Sequence, residues 1–69
     1  MNRFDMGNES GLIGTKEVIW YRHSNELKCV VDIYCHKKEE YIEGWCGMTA
    51  GMARKLYKEK ITELQKELN

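Results

Sequence analysis

Sixty-nine residues and 8.2 kDa make room for one small domain, and eleven Lys+Arg against eleven Asp+Glu leave no formal net charge. That balance excludes a protein that holds nucleic acid by bulk positive charge, and 42% hydrophobic residues with seven aromatics exclude a charged disordered tail. A chain of this size buries only ~60% of the surface it exposes when unfolded, so a staple or a partner is expected to support it.

The opening run from Met1 to Glu9 has no apolar core of the kind that drives secretion, and the longest apolar run, Val18-Ile19-Trp20-Tyr21, is far short of the ~18 residues that span a bilayer. A cytoplasmic protein without membrane contact is expected. Residues 1–16 carry Gly7, Gly11 and Gly14 with Phe4, Met6, Leu12 and Ile13 at neither a helical nor a strand period, which reads as a flexible or loosely docked arm. Residues 17–69 read as a single domain.

Glu17 to His23 is rich in β-branched and aromatic residues, Ser24-Asn25 offers turn chemistry, and Leu27 to His36 follows as a second strand. The charged tetrad Lys37-Lys38-Glu39-Glu40 then leads into a third short strand, Tyr41 to Cys46. A tight turn at Ser24-Asn25 pairs Trp20 with Cys29 and Val18 with Val31. A turn centred on Lys38-Glu39 pairs Cys35 with Ile42, Ile33 with Gly44 and Val31 with Cys46. Both turns place Val18, Trp20, Leu27, Cys29, Val31, Ile33, Cys35, Ile42, Gly44 and Cys46 on one face, because side chains alternate along a strand.

Thr49 is positioned to cap a helix from Ala50 to about Leu68, ~28 Å long. Its apolar members Met52, Ala53, Leu56, Tyr57, Ile61, Leu64 and Leu68 fill about half of the helical wheel, with Lys60 intruding. The expected fold is α+β: a three-stranded antiparallel meander with one long C-terminal amphipathic helix packed on one face.

That helix leaves the second face without a cover. It is expected to hold Ile19, Tyr21, His23, Lys28, Val30, Asp32, Tyr34, His36, Tyr41, Glu43 and Trp45, with Ile19 facing Val30, Tyr34 facing Glu43 and His36 facing Tyr41. A solvated face is ordinarily polar, whereas Tyr and Trp are enriched where proteins meet. Ile19, Tyr21, Val30, Asp32, Tyr34, Tyr41, Glu43 and Trp45 are therefore the candidate partner-binding residues. The arm folding back over this face is the competing expectation.

Chemistry is sparse. An odd cysteine count argues against a disulfide framework, and Cys29 and Cys35, six positions apart on one strand, are ~20 Å from one another, too far to share a zinc ion. No metal or cofactor is expected, and Cys29 and Cys46 are expected to be diagonal neighbours open to air oxidation. Cys35 and His36 point to opposite faces, so the thiol has no base beside it. Gly47-Met48-Thr49-Ala50-Gly51 lacks a phosphate-loop pattern. The chain reads as non-enzymatic.

Zero net charge conceals an asymmetry: residues 49–69 sum to +2, residues 17–48 to −2, and residues 1–16 to zero. Arg54, Lys55 and Lys58 gather near the positive end of the helix dipole. Three antiparallel strands followed by a helix with a basic start resemble the second half of a double-stranded-RNA-binding domain, over Val18 to Leu68. That resemblance implies nucleic-acid contact at Arg54, Lys55 and Lys58. The family's opening helix and consecutive lysines have no counterpart here. The expectation carried forward is a small cytoplasmic protein-binding module, a stoichiometric regulator or inhibitor of the kind phage and mobile elements encode, acting through its exposed aromatic sheet face and self-associating as a homodimer. Nucleic-acid binding is the alternative.

Overall fold

The computed structural model describes residues 9–22 and 28–68. They form β1 (Glu9–Ile13), β2 (Lys16–Arg22), β3 (Cys29–Cys35), β4 (Glu40–Met48) and α1 (Ala50–Leu68). The strands make one antiparallel sheet in the order β1-β2-β3-β4, with α1 across one face. The fold is α+β with a C-terminal helix, as expected, but the sheet has four strands where three were expected.

The additional strand, β1, lies within the segment read as an arm. Gly14 and Thr15 join it to β2, and Gly14 has φ 64°, the left-handed backbone that a two-residue hairpin of type II′ needs at its first turn position. Gly11 serves packing. A Cβ built there would stand 2.8 Å from Ile61 Cδ1 and 3.0 Å from the Tyr57 hydroxyl, so glycine lets the helix approach β1 closely. Residues before Glu9 lie outside the described residues, as do His23, Leu27 and the expected turn at Ser24-Asn25.

β2 and β3 pair without interruption from Lys16 opposite Cys35 to Arg22 opposite Cys29. Trp20 faces Val31, two positions beyond the expected Cys29, and Val18 faces Ile33. A shift of two preserves the faces, so Val18, Trp20, Cys29, Val31, Ile33 and Cys35 are buried as expected. Ile19 faces Asp32, and Val30 faces Tyr21.

β4 departs further. Tyr34 opposes Tyr41, but Ile33 opposes Glu43, leaving Ile42 as an extra residue; Val31 opposes Trp45 and Cys29 opposes Met48, leaving another extra residue at Cys46-Gly47. Gly47 has φ 79° with nothing near its missing side chain, the backbone signature of a glycine bulge. The first bulge reverses the facing of the strand beyond Tyr41. Trp45 and Glu43 thereby move to the helix side, correcting their expected placement on the open face. Gly44 moves opposite Asp32, Ile42 becomes a bulge residue, and Cys46 is exposed while Cys29, opposite Met48, is buried.

The core is Val18, Trp20, Cys29, Val31 and Ile33 from the sheet with Ala53, Tyr57 and Leu64 from α1; Trp45, Met48, Leu56 and Ile61 pack at its margin. Burying each large aliphatic side chain contributes about 1.5–3 kcal/mol. Thr49 caps the helix as expected: its hydroxyl accepts the Met52 N–H at 3.3 Å and its carbonyl the Ala53 N–H at 2.9 Å. Lys60, the intruder on the apolar stripe, places its ammonium 4.9 Å from the centre of the Trp45 ring. Met52 and Leu68, at the two ends of the stripe, remain exposed. Among the described residues, no helix is long and apolar enough to cross a membrane.

Candidate functional site

Strand pairing defines the face turned away from α1 row by row. Leu12, Glu17, Tyr34 and Tyr41 form one row across all four strands, and Ser10, Ile19, Asp32 and Gly44 form the next; Tyr21 lies opposite Val30 in the row beyond. Six of the eight candidate partner-binding residues share this face: Ile19, Tyr21, Val30, Asp32, Tyr34 and Tyr41. Glu43 and Trp45 do not.

The face is divided rather than uniformly open. Ile19 and Tyr21 are buried, at 7% and 5% exposure, so they are not part of an exposed aromatic surface. Val30, Asp32 and Tyr34 are half-buried. Tyr41 and Leu12, at the other end, are exposed at 53% and 63%. The accessible part is therefore the Leu12–Tyr41 row with Asp32 behind it.

Ring contacts order this end. Tyr34 meets Tyr41 edge-to-face, with centroids 5.0 Å apart and planes at 71°, and meets the His36 ring similarly at 4.9 Å and 77°. The His36 Nε2–H donates to Glu17 Oε1 at 2.8 Å, tying the end of β3 to β2. His36 is thus held by Glu17 rather than by Tyr41, and Tyr34 faces Tyr41 rather than Glu43. The Tyr21 hydroxyl donates to Asp32 Oδ2 at 3.2 Å. Leu12, Glu17 and the ring contact of Tyr34 with Tyr41 were not singled out in the sequence. The two-residue Gly14-Thr15 turn between apolar Leu12-Ile13 and Val18-Ile19 is the signal that would have found Leu12.

The basic helix start is arranged differently. Arg54 carries its guanidinium 5.7 Å from the Trp20 ring centre, over the seam between helix and sheet. Lys55 and Lys58 share a shallow exposed surface with Glu59, Thr62 and Glu63, so carboxylates are interleaved with the ammonium groups.

Two side chains outside this face have altered acidity. The Lys38 backbone N–H, helped by the Lys37 N–H and the Thr15 hydroxyl, lowers the Cys35 thiol from its ordinary value against the opposing effect of burial. Burial raises the Tyr57 phenol, with the Glu9 carboxylate adding to the effect. Glu9 also accepts the Trp20 Nε1–H at 3.1 Å, fastening β1 to the core. Among the described residues, no three side chains of metal-binding type gather. Neither protein families, curated proteins nor solved structures show a match to this chain.

Proposed function

We propose that the chain is a non-enzymatic cytosolic protein-binding module, acting as a stoichiometric regulator or inhibitor, and that it docks through the Tyr34–Tyr41 end of the sheet face opposite α1. The supporting observation is a half-exposed Tyr41 set edge-to-face on Tyr34, on a face where α1 does not lie. Rings held this way present apolar area with a polar tip and lose little side-chain freedom on binding, which is why tyrosines recur as interface anchors. Leu12 adds apolar surface at the same level, and Glu17 and Asp32 supply polar contacts.

The placement of Arg54 over Trp20 and the glutamates beside Lys55 and Lys58 favour this reading over nucleic-acid binding, because a phosphate backbone is held by uninterrupted positive charge. The test compares the intact chain with a Tyr34→Ser/Tyr41→Ser variant as bait in a lysate, scoring retained protein and nucleic acid separately. The intact chain is expected to retain a protein in near-equal amount and the variant to lose it, with both baits folded by circular dichroism. Equal retention by the two baits, or retention of nucleic acid alone, would overturn the proposal.

A further inference from the structure

We infer that β1 is a self-association edge: two copies of the chain pair their β1 strands antiparallel about a two-fold axis at Gly11, joining two four-stranded sheets into one continuous sheet. The edge is separate from the Tyr34–Tyr41 end of the face, with which it shares only Leu12. The two outer strands of the sheet differ in kind. β4 changes register twice, the device by which natural edges avoid further pairing. β1 pairs with β2 without interruption from Glu9 to Ile13, and it holds neither the lysine nor the proline that commonly blunts an edge.

The backbone groups of β1 divide in two. Ile13 and Lys16 flank the Gly14-Thr15 turn and close it as a hydrogen-bonded pair, so Gly11 with Val18 and Glu9 with Trp20 are bonded in the same way. Ser10 and Leu12, the alternate residues, turn their N–H and C=O groups away from β2. Both residues are exposed, and among the described residues those groups have no backbone partner.

The occupant follows from β1 itself. With the axis at Gly11, Ser10 of each copy lies opposite Leu12 of the other, and each pair exchanges both of its hydrogen bonds, so every outward group of the two residues is used. An axis at Leu12 would instead set Ser10 against Gly14 of the turn. Gly11 faces its own counterpart in a non-bonded pair with α-carbons ~4.5 Å apart, an approach that glycine admits without side-chain conflict. Over that pair stand the two Ile61 side chains, each half-buried against its own Gly11, and they cover one another across the axis. Helices seated chiefly over β2 and β3 are then separated by at least three strand spacings, ~14 Å, beyond the roughly 8–10 Å of direct helix contact.

Charge fits the same pairing. Glu9 is the one charged residue of β1, and the antiparallel arrangement sends the two carboxylates to opposite ends of the seam. Glu9 of one copy lies opposite Ile13 of the other, whose neighbour in β2 is Lys16, so each Glu9 joins a row that ends on a lysine of the second copy. A parallel pairing in register would set Glu9 against Glu9.

The experiment follows the full chain by sedimentation velocity over a concentration series, and reads the contact by a filtered nuclear Overhauser spectrum of mixed isotope-labelled and unlabelled copies. The mass is expected to rise toward twice 8.2 kDa, with an intermolecular cross-peak between the Gly11 α-protons. Leu12→Pro removes an outward N–H without touching the ladder to β2, and is expected to raise the dimer dissociation constant about thirtyfold with an unchanged circular dichroism spectrum. Leu12→Lys keeps every backbone donor and sets two ammonium groups diagonally across the seam; it is expected to weaken the dimer about fivefold, less at high salt, and decides the matter if the proline variant unfolds. Tyr34→Ser/Tyr41→Ser is expected to dimerise as the intact chain does. A mass of 8.2 kDa at every concentration would overturn the inference, leaving the edge to a different protein or to none. So would undiminished dimerisation of folded Leu12→Pro and of Leu12→Lys, or intermolecular cross-peaks between β4 strands or the Tyr34 and Tyr41 rings with none at Gly11. If the chain stays monomeric while Tyr34→Ser/Tyr41→Ser still abolishes retention of a protein, the edge inference falls and the protein-binding reading stands.

Discussion

The two pairings of β3 are built to different standards. Toward β2 the register runs unbroken for seven pairs, whereas toward β4 it changes twice in the same length. β2 is held on both sides, by β1 and β3, so an extra residue there would break two ladders and turn buried side chains out of the core. β4 is an edge with one neighbour, and a bulge there disrupts one ladder while bending the strand away from further pairing. The edge is therefore where this small protein sorts its aromatic residues: Tyr41, before the first bulge, faces outward, and Trp45, beyond it, faces the helix.

The largest effect expected from this contrast is on stability. Trp45→Ala should cost about 2 kcal/mol by chemical denaturation, less than the ~3–5 kcal/mol for a fully buried tryptophan because Trp45 lies at the core margin. Tyr41→Ala should change stability by about 0.5 kcal/mol or less, as substitutions at exposed positions do. Equal costs would mean that the two rings are not sorted by the bulge.

Gly11→Val tests the other edge. Its side chain would be driven into Ile61 and Tyr57, and a loss of about 2 kcal/mol is expected. An unchanged denaturation midpoint would show that α1 does not lie close over β1. Gly47→Ala should cost about 1 kcal/mol although the space around it is open, because the penalty is that of a left-handed backbone alone.

Much of the fold was legible in the sequence, and the exceptions have identifiable causes. Thr49 and the apolar stripe from Ala53 to Leu64 marked the helix correctly. Faces on β2 and β3 are also legible although the observed register differs from the expected one by two positions, since an even shift leaves alternation intact. β1 is hidden in the sequence because Gly11 and Gly14 read as signs of a loose arm, whereas one admits the helix and the other makes a hairpin turn. The facing of Trp45 and Glu43 was missed because alternation counted from one turn cannot register an extra residue, and Ile42 has no composition that marks a bulge. Gly47 does carry such a mark, but it lies beyond the residues it would have corrected. For the candidate site, Asp32, Tyr34 and Tyr41 followed from alternation alone, while Leu12 and Glu17 required the fourth strand.

The smallest expected effect concerns pH. Tyr57 has its phenol raised above the ordinary tyrosine value by burial, with Glu9 adding to it. Raising the folded-state value favours the neutral phenol, so the stabilisation is complete below the unfolded-state value near 10 and declines as pH rises through the folded-state value. Tyr57→Phe should therefore lose less stability than the intact chain between neutral pH and the alkaline range above 10, measured as the shift in denaturation midpoint for each. Parallel losses in the two proteins would remove Tyr57 as a source of alkaline sensitivity.

The sorting of aromatic rings by β4 is tested most directly by a nuclear Overhauser spectrum of the intact chain. Cross-peaks from the Trp45 indole to the Lys60 side chain, together with cross-peaks between the rings of Tyr34 and Tyr41, are the predicted result. Cross-peaks from the Trp45 indole to Tyr34 or Tyr21 would place Trp45 on the face away from the helix and contradict the account.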